Sequence, residues 1–74
     1  MFFPSKEEVD SIRSEYPVGS RVKLTSMNDP YTTLLPGALG TVSNVDCTGT
    51  IHVNWDSGNR LGVVLGVDSC QKID

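Results

Sequence analysis

Apolar residues recur along this chain at two spacings, and the change falls at Pro17-Val18. Before it, Val9, Ile12 and Tyr16 lie three and four residues apart, the spacing of one face of an α-helix. Ser5-Lys6-Glu7-Glu8 fits a capping box: the Ser5 side chain accepts from the amide of Glu8, and the Glu8 side chain reaches back. Glu7 and Glu8 stand in the first turn, where the helix dipole favours negative charge. Pro4 precedes the cap, and Pro17 stops the helix by pushing Tyr16 out of the α region. So short a helix is marginal alone and must dock on something.

From Val18 onward the spacing becomes two. Val22 and Leu24 alternate with Arg21, Lys23 and Thr25 in a first strand. A long loop from Ser26 to Pro36 carries Met27, Asn28, Asp29, Pro30, Tyr31 and Thr32, and Pro36-Gly37 ends it with a turn signal. Leu39 to Val45 is a second strand, rich in β-formers. Asp46-Cys47-Thr48-Gly49 is a turn. Thr50 to Trp55 is a third strand, with Ile51, Val53 and Trp55 on one face and His52 and Asn54 on the other. Asp56-Ser57-Gly58-Asn59 is a hairpin loop, Arg60 to Leu65 a fourth strand, Gly66 to Ser69 a tight turn, and Cys70 to Ile73 a short closing strand. The pattern predicts a mainly β fold: a small five-stranded SH3-like barrel with a short N-terminal α-helix. Residues 1–17 form the helix and its lead-in and 18–74 the barrel, in one domain. Closing the sheet removes the exposed edges that a small β protein must manage.

Length narrows function. A domain of 74 residues buries only about 60% of the surface its unfolded chain exposes, which leaves little room for an enclosed catalytic pocket. An open face, a groove or a subunit interface is the expected place for a site. Net charge is −3, and the six basic residues are scattered at 6, 13, 21, 23, 60 and 72. Phosphate-backbone binding needs clustered Lys and Arg, so the composition argues against a nucleic-acid partner. Cys47 and Cys70 are too few for a disulfide framework or a zinc site, although a single bridge between neighbouring strands stays open. Met-Phe-Phe-Pro lacks a basic region and an apolar run, and no segment has the length of a membrane span. The expected setting is a reducing cytoplasm with free thiols. No cofactor motif appears: there is no phosphate-cradling glycine loop, no H-E-x-x-H and no nucleophile elbow. An enzyme is not expected.

The stretch from Gly19 to Ile73 carries five short motifs. They are Gly19, Arg21, Val22 and Leu24; Met27, Asp29 and Pro30; Pro36, Gly37, Gly40, Thr41 and Val42; Ile51, Val53, Trp55, Asp56 and Gly58; and Gly66 with Asp68. Together they resemble a small family of unknown function common in bacteriophages and mobile elements of Gram-positive bacteria. The resemblance covers about three quarters of the chain. It implies a phage or mobile-element origin, and a bacterial host cell as the compartment. It supplies no activity. Pro36-Gly37 and Gly40-Thr41-Val42 are also similar to a motif of RNA-binding SH3-like barrels in ribosomal proteins and transcription factors, but the basic residues those modules use are missing here.

Three groups of residues are candidates for binding. Trp55 is in register with Ile51 and Val53, and is either a core anchor or a stacking platform at the strand end. Asp29, Tyr31 and Thr32 either form a turn or present polar and aromatic groups at the barrel mouth. Asp56, Asn59 and Arg60 are either hairpin chemistry or an anion contact in which Asp56 holds Arg60 toward a phosphate or carboxylate. By analogy with grooves in SH3-like barrels, the long loop and the hairpin would share one rim. His52 reads as a surface or interface histidine, and Asp68 as the cap of the last turn. Phe2, Phe3, Val9 and Ile12 are the expected surface for a homo-oligomer.

These readings describe a non-catalytic binding module with no metal or cofactor. In its most specific form it is a counter-defence sponge, sequestering a nucleotide-derived immune signal of the host. The alternative is a protein-interaction adaptor or inhibitor that docks a host or phage protein through the same groove.

Overall fold

The computed structural model describes residues 5–28 and 34–73. Among them the chain forms one helix, α1 (Lys6–Glu15), and five strands: β1 (Arg21–Ser26), β2 (Leu39–Val45), β3 (Ile51–Trp55), β4 (Gly62–Val63) and β5 (Ser69–Lys72). The mainly β, five-stranded architecture with a short N-terminal helix is thus the one observed. All pairings in the sheet are antiparallel, in the order β4-β3-β2-β1-β5. The chain meanders from β1 to β4 and then returns β5 to the free side of β1.

The helix starts as its capping sequence requires. Ser5 Oγ accepts from the Glu8 amide at 3.1 Å. The Glu8 carboxylate accepts from Ser5 Oγ at 3.3 Å rather than from the Ser5 amide. At the other end the Tyr16 amide donates to Ile12 O at 2.8 Å before Pro17 ends the run. Val9 is buried, Tyr16 belongs to the sheet core and Ile12 packs against it, so the helix docks on the chain's own sheet. Arg13 Nε ties the helix to the end of β2 by donating to Val45 O at 3.0 Å. The oligomer surface expected at Val9 is therefore corrected: its side chain is buried within the chain, 3% exposed. Phe2 and Phe3 lie outside the described residues.

The core is the inner face of the sheet: Val22, Leu24, Val42, Val45, Ile51, Val53, Trp55 and Val63, with Tyr16 and Leu34 closing its ends. Gly40 lets two strands approach. It is paired with Trp55 across β2 and β3. A Cβ there would stand 2.5 Å from Val53 Cγ1 and 2.9 Å from Trp55 Cε3.

The fourth strand is shorter than the expected Arg60–Leu65, for three reasons. The Trp55 amide bonds Asn59 O at 2.9 Å and closes the turn. Leu61 O is taken by Trp55 Nε1. The Val64 amide turns to Asp68 Oδ2 at 3.2 Å instead of a strand partner. Asp68 thus caps the 64–68 turn, and its other oxygen accepts from the Asn28 amide at 2.8 Å, tying that turn to the end of the first strand region.

Candidate functional site

One irregularity exposes a polar face on β2 and β3. The β2–β3 register slips between Val42 and Asn44, so that Val42 faces Val53 and Asn44 faces His52. The extra residue is Ser43, whose hydroxyl donates to His52 O at 3.1 Å. In a regular strand Ser43 and Asn44 would point to opposite faces, and both are exposed here. Together with His52, Val53, Asn54 and Arg60 they line an open cleft of about 450 Å³. That volume lies within the range of small-ligand sites, roughly 300–1,000 Å³.

His52 is oriented by the turn that precedes its strand. Its Nε2 lies 2.7 Å from Asp46 Oδ2. The Asp46 carboxylate also accepts from Thr48 Oγ1 at 2.6 Å, the Thr48 amide at 2.9 Å and the Thr50 amide at 3.1 Å. The Thr48 hydroxyl above all, then the His52 ring and the two amides, hold this carboxyl well below the usual carboxylate range, against a smaller opposing effect of desolvation. An ionised carboxylate only accepts, so Nε2 is the protonated nitrogen of the ring. No hydroxyl or thiol among the described residues is hydrogen-bonded to the imidazole. No three His, Cys, Asp or Glu side chains among them group as metal ligands. Cys47 and Cys70 are free thiols, the first exposed and the second half-buried.

Arg60 is exposed at the rim of the cleft and, among the described residues, makes no hydrogen bond or ion pair. The expected pairing of Asp56 with Arg60 is corrected: Asp56 is held by Arg21, whose Nη1 and Nη2 donate to its two oxygens at 2.8 and 2.6 Å. Arg21 Nη1 also donates to Thr41 Oγ1 at 2.9 Å, which fixes the fork across β1 and β2. Arg21 reaches Asp56 from β1, while Arg60, beyond the turn at Gly58 with its positive φ of 99°, stands at the cleft.

Trp55 is a core residue. It is 3% exposed, and its indole N–H donates to Leu61 O at 2.9 Å. Its ring has no free face for stacking, which closes the platform alternative. Asn59 serves the turn, its Nδ2 donating to Ser57 Oγ at 3.2 Å. Asp29, Tyr31 and Thr32 lie outside the described residues. Of the residues expected in the hairpin group, the structure therefore brings Arg60 alone to the cleft, and adds Ser43, Asn44, His52 and Asn54. Asn54 was legible as the outward partner of His52. The bulge at Ser43 had no signal in the sequence.

The family model for a domain of unknown function, DUF4314, matches residues 5–73. The chain belongs to this family. No curated protein and no solved structure matches it. The residues that carried the resemblance in the sequence have, where described, work in the fold. Val22, Leu24, Val42, Ile51, Val53 and Trp55 are core, Gly40 makes room for Trp55, Arg21 and Asp56 pair, and Asp68 caps a turn. None of Ser43, Asn44, His52, Asn54 or Arg60 is among them. The motifs specify the scaffold, and the cleft is built from positions between them.

Proposed function

We propose that this DUF4314 domain is a non-catalytic binding module that takes a small, anionic, hydrogen-bonding ligand in the cleft between Ser43, Asn44, His52, Asn54 and Arg60. The observation that carries this reading is Arg60: a guanidinium whose donors are unused within the described chain, at the rim of a cleft lined otherwise by carboxamides, a hydroxyl, an imidazole and Val53. Such a set suits a phosphate- or carboxylate-bearing molecule. In its specific form the ligand is a nucleotide-derived immune signal of a bacterial host, and the protein is a phage or mobile-element sponge working in the host cytoplasm. The volume of the cleft and the phage-like sequence resemblance support that form. An open cleft on one small domain covers only part of a nucleotide, and a second copy of the chain would complete the enclosure. No described helix is long and apolar enough to cross a membrane.

A second reading, an adaptor or inhibitor that docks a host or phage protein, is favoured by a different feature. Val64 and Val67 are 43% and 55% exposed in one turn, closed by a 3.1 Å bond from the Val67 amide to Val64 O.

Native mass and a thermal-shift screen against cyclic dinucleotides and ADP-ribose derivatives separate the two. A ligand at 100 times its Kd adds about 2.7 kcal/mol, roughly 10 °C or more for a domain of this size. Arg60→Ala is expected to abolish that shift while leaving the ligand-free melting temperature unchanged. A monomer that no compound stabilises, or an Arg60→Ala variant that still binds normally, refutes the placement of the site.

A further inference from the structure

We infer that the ligand is recognised through an oxyanion of the phosphate type, held between Arg60 and the imidazolium form of His52, with Asp46 as the positioning residue. The inference rests on the binding reading above and adds the chemistry of recognition and its proton dependence.

Three observations carry it. The first is that the cleft holds two groups able to carry positive charge, Arg60 and His52, and no carboxylate among its described lining residues. The second is the saturation of Asp46. With donors from Thr48, Thr50 and His52 already on it, this carboxylate keeps its charge but has its acceptor sites filled, so it leaves the donors of the cleft to an incoming anion. It fixes the ring instead, and it stabilises the imidazolium once that forms. The third is the bulge, which turns Ser43 and Asn44 to the same side as Asn54 and brings carboxamide donors to the remaining oxygens of a phosphate-type group.

The charged groups around His52 are few. Asp46 comes from the β2–β3 turn and Arg60 from the segment before β4. Arg13 of α1 reaches Val45 O, next to Asp46, and pairs with Asp10 at 3.8 Å. Arg21 of β1 is committed to Asp56 at 2.6 Å. Binding that requires the imidazolium takes up a proton from a neutral ring, so affinity falls as pH rises.

The test is an NMR titration of the full chain with two probes, sulfate and a cyclic dinucleotide, at pH 5.5 and at pH 8. Neither probe changes its own charge in that interval, unlike a phosphate monoester. The expected result is a set of shifts confined to the side-chain amides of Asn44 and Asn54, Arg60 Nε–H and the His52 ring. The Kd should be about tenfold weaker at pH 8, the worth of one charge-assisted hydrogen bond. His52→Gln should bind with the weaker constant at both pH values, and Asp46→Asn should reduce the pH dependence without abolishing binding. Shifts at these residues with one Kd at both pH values would overturn the inference and leave the binding reading standing. No localised shift from either probe at either pH would overturn both, and would return attention to the Val64–Val67 turn.

Discussion

Substituting Gly40 by Ala tests the packing on which the whole sheet depends. Gly40 sits where β2 crosses the edge of the Trp55 ring, and its backbone φ is not positive, so alanine meets no backbone penalty there. The cost is steric. The new methyl would lie 2.5 Å from Val53 Cγ1, 2.9 Å from Trp55 Cε3 and 3.0 Å from Asn54 O. Ordinary carbon contacts are about 3.5–4.0 Å, so the strands must separate or both side chains must move. Overpacking of this kind costs roughly 1–3 kcal/mol. At about 2 kcal/mol the melting temperature falls by about 8–16 °C. With a urea m-value near the low end for small domains, about 1 kcal/mol/M, the midpoint falls by about 2 M. Trp55 is the only tryptophan, so its fluorescence reports the transition. A double-mutant cycle sharpens the test. Val53→Ala removes the nearest clashing atom and should itself cost on the order of 2 kcal/mol. The pair should lose less than the sum of the two, by about 0.5 kcal/mol or more. A loss under about 0.5 kcal/mol for Gly40→Ala, or strict additivity with Val53→Ala, would refute the argument.

Other expectations follow from single groups. The folded pKa of Asp46 lies below that of a free carboxylate, so its contribution is present above about pH 4 and is lost as pH falls through the folded value. Acid unfolding of Asp46→Ala should accordingly show a shallower dependence on pH below 4 than the parent, and identical slopes would refute the role given to the Thr48–Asp46–His52 cluster. Tyr16 runs the other way. Burial first, then the neighbouring Cys70 thiol and Glu15, push its phenol up to about 12. The unfolded chain releases that proton near pH 10, so the stabilisation is complete below pH 10 and is lost as pH rises toward 12. Tyr16→Phe should flatten the alkaline limb, read by denaturant midpoints between pH 9 and 11, and an unchanged limb would refute it. Removing the exposed Arg21–Asp56 pair by Arg21→Ala should cost less than Gly40→Ala and lose its effect in high salt, and a salt-independent loss would mean that the Arg21 stem, not its charge, matters.

Much of the scaffold was readable because it depends on local rules. The cap at Ser5, the stop at Pro17 and the inward alternation of Val22, Leu24, Ile51 and Val53 each follow from a few neighbouring residues. Boundaries failed where a tertiary hydrogen bond outbid the ladder. The fourth strand lost both flanks because Trp55 Nε1 claims Leu61 O and Asp68 claims the Val64 amide. The site was less legible than the fold for a related reason. Polar residues on the outer face of a sheet obey no pattern that separates a cleft from plain solvated surface. Asp56 looked like the natural partner of Arg60 because they are close in sequence, but the nearer guanidinium in space is that of Arg21, on β1.

The sequence by itself determined the mainly β class, the strand count, the docking helix and membership of a domain family of unknown function. Those properties are set by period, by capping and by turn chemistry, all of short range. Only the tertiary structure decided that Trp55 is buried, that Val9 is buried within the chain, and that Arg60 stands with His52, Asn44 and Asn54 around one cleft. A one-residue bulge at Ser43 made that last grouping. A bulge depends on how two strands settle their register over the core, and a single strand's sequence does not contain that information.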